Sequence, residues 1–488
     1  MRLGRALGTL TAAAAASCVI AACGGSGKPD PGSADPANKV PSTALLYGSV
    51  TVRPDTSLRN DLVQTIDKLG GPGAAQKLGD DLVNSLHNSS EFDAFKKFAG
   101  TRIGIALTAL PAGNLTSQAA ENDLLVVLPV TDPSAARKYI TAHPPTTAGL
   151  TARVEGDYLI SGGATAMSAV PVSPHASLAA SSAYRSAISQ LGSGRLATVF
   201  IQAHPLLARL LPQIEASAGQ SPQASSEAST LLSEVPAGAT VALGFSAGTN
   251  TFTFDALTHG FKAAAGSGTS SQAPDIGSLP SSSWLALALD ITPQEISSLQ
   301  AELPGLLTQA QNQAGAIGGA GQAQGLLNGS SQFLRLVERD VIPALGPATL
   351  SLGSSSIGGF QAGLVLTPHD AAAGDRLLNV LHGLLKHDQV LTSKVGNQLV
   401  LTLGYPYVQA LLSPGSRLAF DPTYKQALAH LPAGSKVPFY LNIGRLAEFG
   451  SAVDTSPGDA SVWQVAKKLN YLIVGGTHGH LRIVLAVK

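Results

Sequence analysis

The feature that most constrains the fold is an internal repeat with a period of about 240 residues in a chain of 488. Pro41-Ser42-Thr43-Ala44-Leu45 opens one half and Pro280-Ser281-Ser282-Ser283-Trp284-Leu285 the other. Phe98–Ile103 parallels Ala344–Thr349, and Leu124–Thr131 parallels Gly359–Thr367. Gly156-Asp157-Tyr158 parallels Gly396-Asn397-Gln398, and Ala183–Ile188 parallels Thr423–Leu428. The segments recur in one order with small gaps, so one architecture is expected twice.

Within each half the periodicity alternates between strand and helix. Strands are expected at Ala44–Val52 and Trp284–Asp290, entered after prolines that favour extended chain. In Ser57–Leu69 the apolar residues Leu58, Leu62, Ile66 and Leu69 share one helical face, with Gly70 as the stop. Pro293–Ala310 is its counterpart, opened by Thr292. A short helix is read at Glu91–Ala99 and at Phe333–Leu345, and further helices at Ser134–Ala142 and Asp370–Lys386. Tight turns at Gly156 and Gly396 imply hairpins, and so do Thr240–Ser246 with Thr251–Leu257 and Tyr471–Thr477 with His480–Val487. Hairpins imply antiparallel pairing. The expected fold class is therefore α+β: two tandem similar repeats, each an antiparallel sheet with helices packed on one face.

The N-terminus carries an address. Arg2 and Arg5 precede an alanine-rich apolar run, Thr9–Ala22, that is short for a permanent span. Ile20-Ala21-Ala22-Cys23 then matches a lipobox: an aliphatic residue, two small residues and a cysteine. Cleavage between Ala22 and Cys23 would leave Cys23 as a lipidated N-terminus. Two acyl chains hold a protein on a bilayer where one is marginal. No later run reaches about 18 apolar residues, so the body is expected outside the bilayer, anchored on the extracytoplasmic face of the cell membrane. The expected division is 1–22 signal peptide, 23–40 flexible tether, 41–261 first repeat, 262–276 linker and 277–488 second repeat. The tether, GGSGKPDPGSADPANKV, and the linker region, KAAAGSGTSSQAP, are rich in Gly, Ser and Pro. Ser217–Thr230 and Gln309–Ser331 are further low-complexity stretches.

Charge narrows the function classes. The 31 basic and 31 acidic side chains cancel, and loss of Arg2 and Arg5 leaves 29 against 31, or −2. A nucleic-acid partner held by phosphate neutralisation is not expected. Cys18 and Cys23 are the only cysteines, which excludes a disulfide framework in the mature chain.

Four constellations bear on chemistry. Gly244-Phe245-Ser246-Ala247-Gly248 has the spacing of a nucleophile elbow, but Thr251–Phe254 alternates as a second strand, so a hairpin is expected. His478-Gly479-His480 puts two imidazoles at a turn, with no third ligand to complete a metal site. His382 and His387 are five apart, off the i, i+4 spacing. Tyr184 and Tyr424 correspond by repeat, which points to packing. No catalytic, metal or cofactor residue is assigned; the assigned residues are Ala22 and Cys23, for cleavage and lipidation.

The lipobox, the duplicated layout and the openings Val40-Pro41-Ser42, Val235-Pro236-Ala237, Leu279-Pro280-Ser281 and Leu431-Pro432-Ala433 together resemble an uncharacterised family of bacterial secreted lipoproteins, a domain of unknown function. The resemblance implies an anchored, extracytoplasmic location and brings no activity or catalytic residue to carry over. The expected role is non-enzymatic binding of a hydrophobic ligand or an envelope protein. The alternatives are an envelope hydrolase with unidentified catalytic residues and a metal-handling lipoprotein using His478 and His480.

Overall fold

The computed structural model describes residues 34–85, 94–110, 122–145, 149–217, 229–230, 232–261, 274–298, 301, 337–354, 359–384, 390–453 and 460–488. The signal peptide, Ala22, Cys23 and most of the tether lie outside these residues, as do 262–273 of the linker and all of 309–331. The described chain is α+β, its strands paired antiparallel, and it divides into two units. The first runs to Phe261 and also takes in His478–Lys488; the second ends at Thr477.

In the first unit the strands are β1 (Leu46–Thr51), β2 (Arg102–Leu107), β3 (Leu124–Pro129), β4 (Leu150–Glu155), β5 (Tyr158–Gly163), β6 (Ala197–Gln202), β7 (Thr240–Gly248) and β8 (Thr251–His259). They pair in the order β8-β7-β6-β1-β2-β3-β5-β4. The last strand of the chain, His480–Val487, extends this sheet beyond β8, with Arg482 opposite Asp255. Its backbone partners are decided by register, which periodicity alone does not encode.

The second unit contains β9 (Ser283–Leu289), β10 (Ala348–Ser354), β11 (Phe360–Leu366), β12 (Val390–Val395), β13 (Gln398–Leu403), β14 (Lys436–Asn442) and β15 (Leu469–Thr477). Their order is β12-β13-β11-β10-β9-β14-β15. The final strand, His480–Val487, is β16.

Helices cover both faces of each sheet, not one. Side chains three apart on a strand point to opposite sides. Tyr47 and Leu125 join a core with Tyr184, Ala187 and Leu191 of helix Ser182–Leu191. Val50 packs instead with Leu58 and Leu62 of helix Thr56–Gly70, and Leu128 with Ala136 of helix Pro133–Ala142. In the second unit Leu366 and Leu399 meet helix Ala371–Leu384. Tyr440, whose register row leads through Ala286 and Ser351 to Gly363, meets Tyr424 of helix Pro422–Ala429 on the other side.

Local chemistry explains the boundaries. Asp55 caps helix Thr56–Gly70 by accepting from the Leu58 amide, and Asp132 and Asp421 cap helices that begin at Pro133 and Pro422. Gly156 and Gly396 adopt φ of 57° and 62° at the two hairpin turns. Residues 36–40, read from sequence as the end of a loose tether, are ordered. Pro36–Lys39 form a 3-10 turn capped by Asp35, and Pro36, Ala37 and Val40 are buried. The helix expected over Phe333–Leu345 is, in its described part, a π turn at Val337–Val341 followed by a 3-10 turn at Ile342–Ala344. Pro343 lacks the amide that a continuing helix needs.

Candidate functional site

The most strongly charged interior of the first unit is built around Asp255, at the middle of β8. Its register partners are Gly244 on β7 and Arg482 on β16. Gly244 leaves room: a Cβ there would lie 3.0 Å from Leu191 and 3.5 Å from Arg195. Helix Ser182–Leu191 ends at Gly192, and Gly192 and Gly194 both take positive φ. The chain thus doubles back and brings Arg195 beneath the sheet face.

Three cationic or cation-forming side chains converge on the wholly buried carboxylate. Arg195 Nη1 lies 2.7 Å from Asp255 Oδ2. Arg482 Nε donates to Oδ1 at 2.6 Å, and His480 Nε2 lies 2.8 Å from the same oxygen. Arg195 also donates to Ser246 Oγ at 3.2 Å and to the Leu191 carbonyl. Arg195 is only 8% exposed, and its Nε has no hydrogen-bond partner. Burial pushes the Asp255 pKa up, but hydrogen bonds from Arg482 and His480 and the charge of Arg195 prevail, holding it below the ordinary carboxylate range. Two guanidinium groups thus face one carboxylate.

A cleft of about 320 Å³ opens above this cluster. Its lining includes Arg195, Arg482, Ser246 and Thr253, and Asp55, Ser57 and Asp61 from the start of helix Thr56–Gly70. The Leu58 amide and the Ser57 hydroxyl bind Asp55 and lower its pKa. Asp61 accepts from Thr249 Oγ1 at 2.9 Å. The lining offers hydroxyl, carboxylate and guanidinium groups, which suit a polar ligand better than an acyl chain.

Ser246 lies within β7 opposite Thr253, and β7 turns at Thr249-Asn250 directly into β8, with Asn250 at φ 64°. The strand-to-helix bend of a nucleophile elbow is absent here, and the described partner of Ser246 is a guanidinium rather than an imidazole. The two turn histidines diverge in role: His478 is exposed, while His480 binds Asp255. Among the described residues no group of three His, Cys, Asp or Glu side chains could hold a metal. His382 Nε2 lies 3.2 Å from the Thr392 carbonyl, and His387 lies outside the described residues. Tyr184 sits edge-on to Tyr47 and Phe200, and Tyr424 edge-on to Tyr440; both are buried.

Sequence reasoning missed Asp255, Arg195 and Arg482. The available signal was a charged residue at an inward position of an otherwise apolar strand, as in Phe254-Asp255-Ala256 and Leu481-Arg482-Ile483. Among the described residues no helix is long and apolar enough to cross a membrane. Comparison of the chain with protein-family models, curated proteins and solved structures finds no match.

Proposed function

We propose that this chain is an exported lipoprotein, held by acyl chains on Cys23 at the extracytoplasmic face of the cell membrane, whose body is a non-enzymatic binding module. The observation that carries the reading is Ile20-Ala21-Ala22-Cys23 placed directly behind a short apolar export segment. The same residues support membership of the uncharacterised secreted lipoprotein family that the sequence resembles.

We also propose that the body arose by duplication. Supporting this, the strand orders β4-β5-β3-β2-β1-β6-β7 and β12-β13-β11-β10-β9-β14-β15 correspond member by member. Asp35 and Asp275, 240 apart, each cap a 3-10 turn. The bridge Pro41–Ser177 corresponds to Pro280–Arg417, and the Leu178-to-Val40 hydrogen bond to the Leu418-to-Leu279 one. Such agreement in side-chain caps and single bridges goes beyond a shared fold class.

The polar cleft beside Arg195 and Arg482 favours a polar ligand or an envelope protein as the partner, over a hydrophobic molecule carried inside the body. The test is expression of the full chain in a lipoprotein-exporting bacterium fed an alkyne analogue of palmitate. The natural chain is expected to carry the label and fractionate with membranes. Cys23→Ser is expected to lose the label and the mature mass. A Cys23→Ser product that matures normally and stays membrane-bound overturns the proposal.

A further inference from the structure

We infer that the cleft beside Arg195 takes a small zwitterion, an amino acid or short peptide with a free carboxylate and a free ammonium group. This rests on the reading of the body as a module for a polar ligand and is independent of the anchor. Its ground is a lining that carries both signs of charge in one space. Arg195 and Arg482 supply guanidinium groups, and Asp55 and Asp61 supply carboxylates. A lone anion would meet the arginines and also the two acids, and a lone cation the reverse; each gain is offset by a repulsion. A molecule with both charges satisfies both sets. The size agrees: about 320 Å³ is at the small end of the roughly 300–1,000 Å³ of ligand pockets.

The lining groups keep hydrogen-bonding capacity for such a guest. The Ser57 hydroxyl and the Leu58 amide both donate to Oδ1 of Asp55, and the Thr249 hydroxyl donates to Oδ1 of Asp61. Among the described residues these bonds leave Oδ2 of each carboxylate to accept from a ligand. Arg195 keeps a donor as well. Its Nη1 is taken by Asp255 and Ser246 and its Nη2 by the Leu191 carbonyl, but Nε has no hydrogen-bond partner in a side chain only 8% exposed. An unmet buried donor carries a desolvation cost, and a carboxylate hydrogen-bonded to a guanidinium is among the stronger polar contacts. The anionic end of the guest is therefore assigned to Arg195 and Arg482, and the ammonium to Asp55 and Asp61.

The test is titration calorimetry of the detergent-extracted chain at neutral pH with alanylalanine, its N-acetyl form, its C-terminal amide and inorganic phosphate. Alanylalanine is expected to bind, and each of the other three to bind at least about tenfold more weakly, the loss of one charge-assisted contact. Asp55→Asn and Asp61→Asn each keep an acceptor for the local donors, and asparagine caps a helix as well as aspartate does. At least one of them is expected to weaken alanylalanine about tenfold while leaving the N-acetyl form unchanged. Binding of either blocked form or of phosphate as tightly as alanylalanine overturns the inference and leaves the polar-ligand reading standing. So does alanylalanine binding that neither variant alters. No binding of any probe at millimolar concentration overturns the inference and the polar-ligand reading together.

Discussion

Replacing Asp255 by asparagine keeps the side-chain shape and removes its charge. Asp255 is wholly buried and Arg195 nearly so, and Arg482 shares the same carboxylate. Breaking a buried ion pair by removing one partner costs about 3–5 kcal/mol, because the remaining charge is left uncompensated. The asparagine oxygen can still accept one hydrogen bond, which returns about 1 kcal/mol. The expected net loss is about 2–4 kcal/mol, a large share of the roughly 5–15 kcal/mol that holds a folded domain together. At a urea dependence of about 3 kcal/mol per molar, the midpoint of the first unit should fall by about 1 M. Hydrogen exchange read by mass spectrometry on peptides of β7, β8 and β16 measures this directly. Both tryptophans, Trp284 and Trp463, lie in the second unit, so their fluorescence serves as an internal control. The double variant Asp255→Leu with Arg195→Met should recover part of the loss, since it removes the more deeply buried of the two guanidinium groups that Asp255 neutralises, while Arg482 is partly exposed to water. A single variant that unfolds at the natural midpoint, or a double variant no better than the single one, would refute the reasoning.

Two further outcomes follow from named contacts. The Asp255 pKa is depressed in the folded state relative to about 3.9 for a free aspartate. Its contribution is therefore complete above that value and lost as pH falls through the folded pKa. Acid titration of the same peptides should show the gap between natural chain and Asp255→Asn narrowing below about pH 4; a gap constant to the lowest pH contradicts this. In the second unit, a Cβ on Gly450 would lie 2.2 Å from the Trp463 ring. Gly450→Ala should therefore separate helices Ile443–Val453 and Ala460–Lys468, red-shift the tryptophan emission and destabilise the unit by about 1–3 kcal/mol.

What could be read from sequence was what local chemistry decides. The turns at Gly156, Gly396 and Thr249-Asn250 demand residues that tolerate positive φ, so the hairpins were visible. The spacing of Leu58 and Leu62 marked a helix whose buried face they form. The coverage of both sheet faces was present but unread. In Leu124–Pro129 buried side chains fall on both parities, Leu125 and Val127 on one and Leu128 on the other. A strand without polar alternation signals a sheet covered on both sides. The Asp255 cluster was out of reach for a different reason. Asp255 and Arg482 are 227 positions apart, and only the pairing of β8 with β16 brings them together. The order of residues 36–40 was hidden by composition: Pro36-Ala37-Asn38-Lys39 reads as tether, yet Ala37 and Val40 fill the core under Tyr47.

The central claim concerns the first residue of the mature protein. Intact-mass and peptide-fragment spectrometry of the detergent-extracted chain tests it most directly. The account predicts an N-terminal peptide beginning at Cys23 and carrying the mass of a diacylglyceryl group. A mature N-terminus at any other residue, or an unmodified Cys23 thiol in membrane-extracted protein, contradicts it.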